Sequence, residues 1–187
     1  MVNALIDRGA DVNTPSTKPE GYKFTPLVAA SGHGRVELMR VLLAAGARVN
    51  LGSADGVTAL MSASFKGQVE AIRVLLAAGA QLNQVDAYGQ TALMAASIAG
   101  QVEAIRVLLA AGAQVNQVDA HGQTALMVAS AEGFVQAVKV LLGAGADPRI
   151  TSPDGDTALG FAQLKRHPAV VSLLQAKLAE LAAASST

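Results

Sequence analysis

The sequence predicts an all-α solenoid of stacked antiparallel helix pairs joined by β-turn or hairpin loops, and two observations carry this prediction. The first is a 33-residue internal period in threonine and glycine. The second is that each period contains two short apolar segments, neither of which is long enough to be stable as an isolated helix. The periodic positions are Thr25, Thr58, Thr91, Thr124 and Thr157, together with Gly46, Gly79, Gly112 and Gly145. Repetition at such a spacing is typical of solenoids, whose units bury their apolar faces against their neighbours.

Two of the repeats are almost identical. Residues 67–97 and 100–130 agree at all but three of 31 aligned positions. The three differing pairs are Leu82/Val115, Tyr88/His121 and Ala95/Val128. Agreement of this kind does not arise by chance, so each repeat is one copy of the same structural unit.

The turn and the first helix of a unit are readable in the fourth repeat. Asp86-Ala87-Tyr88-Gly89 is a turn sequence, because the Asp side chain can bond nearby backbone and the Gly tolerates a positive φ. Thr91 is then placed to cap a short helix over residues 92–97. Gly100 ends that helix and reverses the chain.

A second helix is predicted over residues 102–109, with Gly112 ending it. One side of this helix is apolar, and its charged residues, Glu103 and Arg106, face elsewhere. The apolar stripe consists of Ala104, Ile105, Leu108 and Leu109.

The complete repeated pattern is Asp-x-x-Gly-x-Thr-(Ala/Pro)-Leu, followed by Gly-x-Val-Glu, Leu-Leu and Gly-Ala-x-x-Asn, and it resembles the ankyrin repeat. The resemblance covers nearly the whole chain and identifies residues 1–187 as a single ankyrin-repeat domain. It implies a curved, L-shaped stack of about five full repeats, each a β-turn plus two antiparallel helices. The predicted units are a partial repeat at 1–19 that includes a Pro-rich insertion, full repeats at 20–52, 53–85, 86–118 and 119–151, and a C-terminal capping repeat at 152–187.

The chain departs from the family pattern inside the repeats. The Thr-Pro-Leu-His tetrapeptide of the family reads Thr-Ala-Leu-Met at 58–61, 91–94 and 124–127. The family His forms hydrogen bonds between neighbouring repeats, so the resemblance implies that Met replaces a polar contact with an apolar one. We therefore expect the interfaces between repeats to depend more strongly on packing.

Both ends of the predicted stack also depart from the pattern. The first unit is only a second helix and its exit, over residues 2–13, and four extra residues within 14–21 predict a longer, looser loop. In the last unit Arg166 replaces the Gly between the helices, and Leu178 replaces the Gly that ends the second helix. The second helix is therefore expected to continue through residues 174–181, as suits a terminal cap.

Composition excludes several classes of function. Lys plus Arg and Asp plus Glu each total 14, so the chain lacks the positive charge on which most nucleic-acid binding depends. It has no cysteine, which excludes disulfides, thiolate nucleophiles and zinc–thiolate sites. No apolar run approaches the ~20 residues of a membrane span, and no signal-peptide pattern is present. We expect a cytoplasmic, monomeric protein without membrane association.

The reactive side chains do not converge on a catalytic or metal site. His33, His121 and His167 fall in different repeats, and stacking at ~10 Å per element predicts ~30 Å between the first two. Repeated acids such as Asp86 and Asp119 occupy equivalent turn positions and read as turn residues. No nucleophile, metalloprotease or phosphate-loop motif occurs. The sequence predicts that the chain is not an enzyme and takes no cofactor or metal.

The resemblance implies a protein partner, bound on the concave surface formed by the turn tips and the exposed ends of the first helices. Four of the six aromatic residues of the chain map to these positions, and apolar anchors of this kind are typical of interfaces. We expect Phe65, Tyr88 and Ile98 at the centre of the surface. The predicted partner-binding residues are Tyr22, Phe24, His33, Asp55, Phe65, Lys66, Tyr88, Ile98, His121 and Glu132.

Several interpretations remain open at this point. The favoured one is a non-catalytic protein–protein interaction module or scaffold. The alternatives are a regulatory or inhibitory subunit that occludes a partner enzyme, and an engineered ankyrin binder. A structural interpretation of the surface is also open, in which Phe65 and Ile98 pack against neighbouring helices and the exposed positions vary freely.

Overall fold

The computed structural model describes residues 11–15 and 24–184, and the helices there occur in five consecutive pairs. The pairs are α1 (Pro26–Gly32) and α2 (Val36–Ala44), α3 (Ala59–Phe65) and α4 (Val69–Ala77), α5 (Ala92–Ile98) and α6 (Val102–Ala110), α7 (Ala125–Ala131) and α8 (Val135–Gly143), and α9 (Ala158–Leu164) and α10 (Pro168–Ala184). Within the described ranges there is no strand, only an isolated antiparallel bridge between Val118 and Thr124. The predicted all-α solenoid is confirmed. Most of the partial first repeat, including most of the Pro-rich loop, lies outside the described residues.

The helices form two layers. The first helices of successive pairs contact one another in chain order, and the second helices do the same behind them. Contact is more extensive within the first-helix layer, because small side chains such as Ala92, Ala96 and Ser97 are buried there and let the helices approach closely. A stack that is tighter on one side curves toward that side. We therefore expect the first helices and the turns before them to line the concave side.

Each first helix begins at a threonine with extended backbone, as the sequence predicts. In α5 the Thr91 hydroxyl accepts a hydrogen bond from the Met94 amide at 3.2 Å, which satisfies one of the free amides of the first turn. In α3 the Thr58 amide also contacts the Met61 sulfur at 3.4 Å. The same threonine cap occurs at Thr25, Thr58, Thr124 and Thr157.

The reversal between the two helices of a pair requires a left-handed residue. At Gly100 the φ angle is +64°, and a Cβ at this position would lie 2.8 Å from the Phe134 ring of the next repeat. Both the backbone conformation and the available space therefore favour glycine. The last repeat has Arg166 at this position with a φ of 61°, the one positive-φ non-glycine residue within the described ranges.

Leucines and methionines of successive repeats form one continuous core. Leu75, Leu108, Leu141 and Leu174 occupy equivalent positions and are completely buried. Met61, Met94 and Met127, which replace the family histidine, are also buried, as their apolar role requires. The extension of the last helix is confirmed, since α10 continues to Ala184. None of the helices in the described part of the chain is both long and apolar enough to cross a membrane.

A polar ladder that the sequence interpretation did not identify also links the repeats. The Asn50 side-chain carbonyl accepts a hydrogen bond from the Gln81 amide at 2.8 Å, and its amide group donates to the Gly79 carbonyl at 3.4 Å. The backbone amides of Arg48, Gln114 and Asp147 donate equivalently to Asn13, Asn83 and Asn116. The period in asparagine thus has a structural cause, and this row of hydrogen bonds adds to the packing between repeats.

Candidate partner-binding surface

The turns that precede the first helices are rigidly held by their own side chains. The Asp86 carboxylate oxygen Oδ1 accepts hydrogen bonds from the amides of Tyr88 and Gln90, both at 2.9 Å. Asp119 accepts the equivalent bonds from His121 and Gln123 at 2.8 and 2.9 Å. These acids are turn residues, as their periodic spacing predicts. Their bonds hold the Tyr88 backbone in place while 58% of that residue stays exposed.

Backbone hydrogen bonds join the turns into a row. The Ala87 amide donates to the Asp55 carbonyl at 2.9 Å, and the Ala120 amide donates to the Tyr88 carbonyl at 3.0 Å. Asp55, Tyr88 and His121 therefore lie along one continuous edge of the stack. A partner that contacts one of these turns has the next one beside it.

A pocket of about 410 Å³ lies where the ends of the first helices meet this row. It contains three of the predicted partner-binding residues, Phe24, Phe65 and Lys66. Phe65 remains 42% exposed, and the Lys66 ammonium lies 5.4 Å from the centre of its ring, a cation–π distance. The other residues of the wall are Val57, Met61, Ser62, Asp86, Gln90, Thr91 and Ala95.

The remaining predicted residues do not line this pocket. Tyr88, His33, His121 and Glu132 are exposed, and they are spread over three repeats, with His121 and Glu132 in the same one. Ile98 is half-buried at the end of α5. Asp55, also half-buried, lies in the neighbouring turn, and Tyr22 is outside the described residues. The pocket thus brings Phe65 together with Phe24 rather than with Tyr88 and Ile98, which we had expected beside it at the centre of the surface.

One contributor to this pocket was not among the predicted residues. Ala95 lines the pocket, and its signal in the sequence is the Ala95/Val128 difference between two otherwise near-identical repeats. Alignment of the repeats places Leu164 at the position of Phe65 in the last repeat, and Leu164 is 72% exposed.

A larger groove, of about 510 Å³, lies on the opposite side between α4 and α6. Arg73, Glu103 and Arg106 line it, and Arg106 pairs with Glu103 at 3.4 Å across exposed side chains. Its apolar residues, Leu76 and Val107, are half-buried aliphatic side chains. Three charged side chains border this groove, and it has no aromatic wall. The pocket at Phe65 is therefore the better candidate for an anchor site.

Outside the candidate surface, the charged pair Asp147 and Arg149 has a structural role. Hydrogen bonds from the side chain and then the backbone of Arg149 hold the pKa of Asp147 below its ordinary value. Arg149 Nε and Nη2 lie 2.9 and 3.0 Å from the two Asp147 oxygens, a bidentate contact in the exit of the fifth repeat. Across the described ranges, no three His, Cys, Asp or Glu side chains come together as metal ligands.

Comparison with known proteins agrees with the repeat geometry. A family model described as ankyrin repeats in three copies matches residues 1–86 and 75–152. A search of curated proteins gives no significant match. The matched residues cover most of the chain and include the first four described helix pairs. The chain therefore belongs to the ankyrin-repeat family, whose members are generally protein–protein interaction modules.

Proposed function

We propose that this protein is a non-catalytic interaction module that binds a partner protein on its concave side, through the turns and the ends of the first helices. The observation that carries the proposal is the pocket beside Phe65, which lies on a row of turns held by hydrogen bonds. An exposed phenylalanine beside a largely apolar pocket is costly in water and favourable in an interface.

Rigidity of the surface supports this function. A binding surface that is already ordered loses little conformational entropy when a partner arrives. The Asp86 and Asp119 hydrogen bonds fix the two turns, and the threonine caps fix the start of the helices behind them. The variable side chains therefore stand on a constant framework, so a change in specificity does not require a change in fold.

The side chains assigned to this face divide into an apolar centre and a polar rim. Phe24, Phe65 and Tyr88 supply the aromatic surface of the centre. The rim consists of His33, Asp55, Lys66, His121 and Glu132, and Ile98 adds a half-buried aliphatic side chain at the end of α5. Interfaces of moderate affinity commonly have this arrangement, with a few buried anchors and charged residues around them.

Paired surface variants test the proposal. Affinity purification followed by mass spectrometry is performed with the wild-type chain, with Phe65→Ala/Tyr88→Ala, and with Arg73→Ala/Arg106→Ala. The arginine pair is a matched control because it removes large exposed side chains from the larger groove on the opposite side. The proposal predicts that the same protein is captured by wild type and by the arginine variant, and is lost with the aromatic variant. Loss with the arginine variant alone would assign binding to the second helices and contradict it.

A further inference from the structure

The near-identity of the repeats allows the pocket beside Phe65 to be compared with the equivalent position one repeat further along. Val57, Phe65 and Lys66 become Gln90, Ile98 and Ala99 after a shift of 33 residues. Ala95, which forms part of the wall, becomes Val128. Phe24 becomes Val57. The shift therefore removes both aromatic rings and the cation, replaces the Val57 side chain with an amide, and adds two methyl groups where Ala95 leaves space.

The shape of the pocket suits one large apolar side chain. Its walls combine two phenylalanine rings with Val57 and the Met61 thioether, and its volume of about 410 Å³ lies at the lower end of the usual range for small ligand sites. Methionine adapts its shape to different apolar groups, and aromatic rings supply large contact areas. Leucine, methionine and phenylalanine side chains fit these walls.

The two charged residues at the pocket, Lys66 and Asp86, differ in their ability to bind an incoming group. Lys66 is exposed, and among the described residues no carboxylate lies within ion-pair distance of its ammonium group. Asp86 also lines the pocket, but its Oδ1 atom is occupied by the amides of Tyr88 and Gln90. The cation is thus free to bind an incoming group, whereas the acid already has a structural role. Electrostatic complementarity at this site favours a ligand with a carboxylate.

We propose that the pocket binds a peptide segment of the partner that inserts one large apolar side chain between Phe24 and Phe65 and pairs a neighbouring carboxylate with Lys66. The inference rests on the proposed function, which it deepens by naming the chemistry of the bound segment. Ala95 determines this specificity together with Lys66, because it leaves the space that the inserted side chain fills.

The test uses a random peptide library displayed on phage, selected against the full chain. Wild type is expected to enrich peptides in which Leu, Met or Phe lies within a few positions of Asp or Glu. Ala95→Val narrows the pocket with a residue that the fifth repeat already tolerates, and is expected to reduce affinity for an enriched peptide about tenfold. Ala95→Ser is its matched control, since Ser62 occupies this position in the third repeat, and is expected to leave affinity within about twofold.

The charge is tested on one enriched peptide, synthesised with its acid and with the matching amide. Wild type should prefer the acid about two- to fivefold, which is the range of a solvent-exposed ion pair, and Lys66→Gln should remove that preference. Lys165→Gln is the matched control, because Leu164-Lys165 repeats the Phe65-Lys66 pair in the last repeat outside the pocket. Phe65→Ala, an exposed position that does not endanger folding, should weaken both peptides.

Three results would overturn the inference: no enriched peptide class, enrichment that is unchanged with Ala95→Val and Phe65→Ala, or equal binding of the acid and amide peptides by wild type. The inference and the proposed function fail separately. Suppose that Phe65→Ala/Tyr88→Ala abolishes partner binding, whereas Lys66→Gln and Ala95→Val leave it unchanged. The proposed function on the concave face would then stand, and the proposed chemistry of the pocket would be wrong.

Discussion

The fourth and the last repeats of this protein share a plan but differ in how completely their neighbours cover them. In α5 every residue from Ala92 to Ser97 is buried, because repeats stack on both sides. In α9 only Ala158 and Ala162 are buried, and Leu164 is 72% exposed. The same helix therefore gains different amounts of burial from different surroundings. In a stack of this kind, stability comes from the interfaces between repeats more than from any single repeat.

Truncation of a core leucine is the largest expected effect in this comparison. Leu108 is completely buried between two neighbours, so Leu108→Ala should lower the free energy of unfolding by ~2–5 kcal/mol, with both adjoining interfaces weakened. Leu178 is half-buried in α10, and Leu178→Ala should cost less. Urea denaturation monitored by circular dichroism measures both variants. Equal losses would contradict the idea that the end of the stack is less firmly held.

Substitution of the residue between the two helices of a pair should give the next largest change in stability. The change should be destabilising at Gly100 and stabilising at Arg166. Gly100→Ala places a Cβ in the left-handed region and against the Phe134 ring, so it should destabilise by ~1–2 kcal/mol or more. Arg166→Gly relieves the same backbone conformation where the structure already has a side chain, and should stabilise by ~1 kcal/mol or less. Thermal unfolding midpoints that fall for both variants would show that Arg166 makes a stabilising contact that outweighs its backbone strain.

The asparagine ladder should contribute a smaller, uniform amount at each interface. Asn83→Ala removes the acceptor for the Gln114 amide and should cost ~0.5–1.5 kcal/mol. Asn116→Ala, which removes the acceptor for the Asp147 amide, should cost a similar amount. Denaturant titrations of the two variants test whether the ladder is equally strong in the middle and near the end. A negligible loss at Asn83 would mean that the asparagine ladder does not contribute to cohesion between the repeats.

The smallest effect is pH-dependent and is confined to the exit of the fifth repeat. Because hydrogen bonds from Arg149 lower the pKa of Asp147 in the folded state, the pair stabilises the protein above the unfolded pKa of ~3.9 and loses this contribution as the pH falls below it. Asp147→Asn should therefore lower the unfolding midpoint slightly at neutral pH and have no effect in strong acid. The reverse pH dependence would contradict the assignment.

The sequence predicts the structural features that recur in successive repeats, and it predicts less well the features that occur only once in the stack. The threonine caps, the turn acids and the buried leucines recur at a fixed period, so one copy explains all, and each was confirmed in the described repeats. The pocket depends on how Phe24 of one repeat meets Phe65 of the next and on the space left by Ala95. Contacts between side chains of different repeats depend on the stacking geometry, which the pattern of a single repeat does not contain.

The asparagine ladder shows the same limit in a feature that does recur along the sequence. The period of Asn50, Asn83 and Asn116 is visible in the sequence, but its cause is a hydrogen bond to the backbone of the next repeat. Because the partner is a backbone group, which every residue has, no particular residue type in the next repeat reveals the contact. The contact between repeats in the folded chain is what connects this period with cohesion.

Calorimetric titration of the purified partner against single variants tests the central claim most directly. If the concave side is the binding surface and Phe65 is an anchor, Phe65→Ala should weaken binding by ~2 kcal/mol or more, with little loss of stability because the residue is 42% exposed. Arg106→Ala, on the second-helix side, should bind as wild type does. A partner whose affinity falls with Arg106→Ala and not with Phe65→Ala would contradict the assignment of the concave surface.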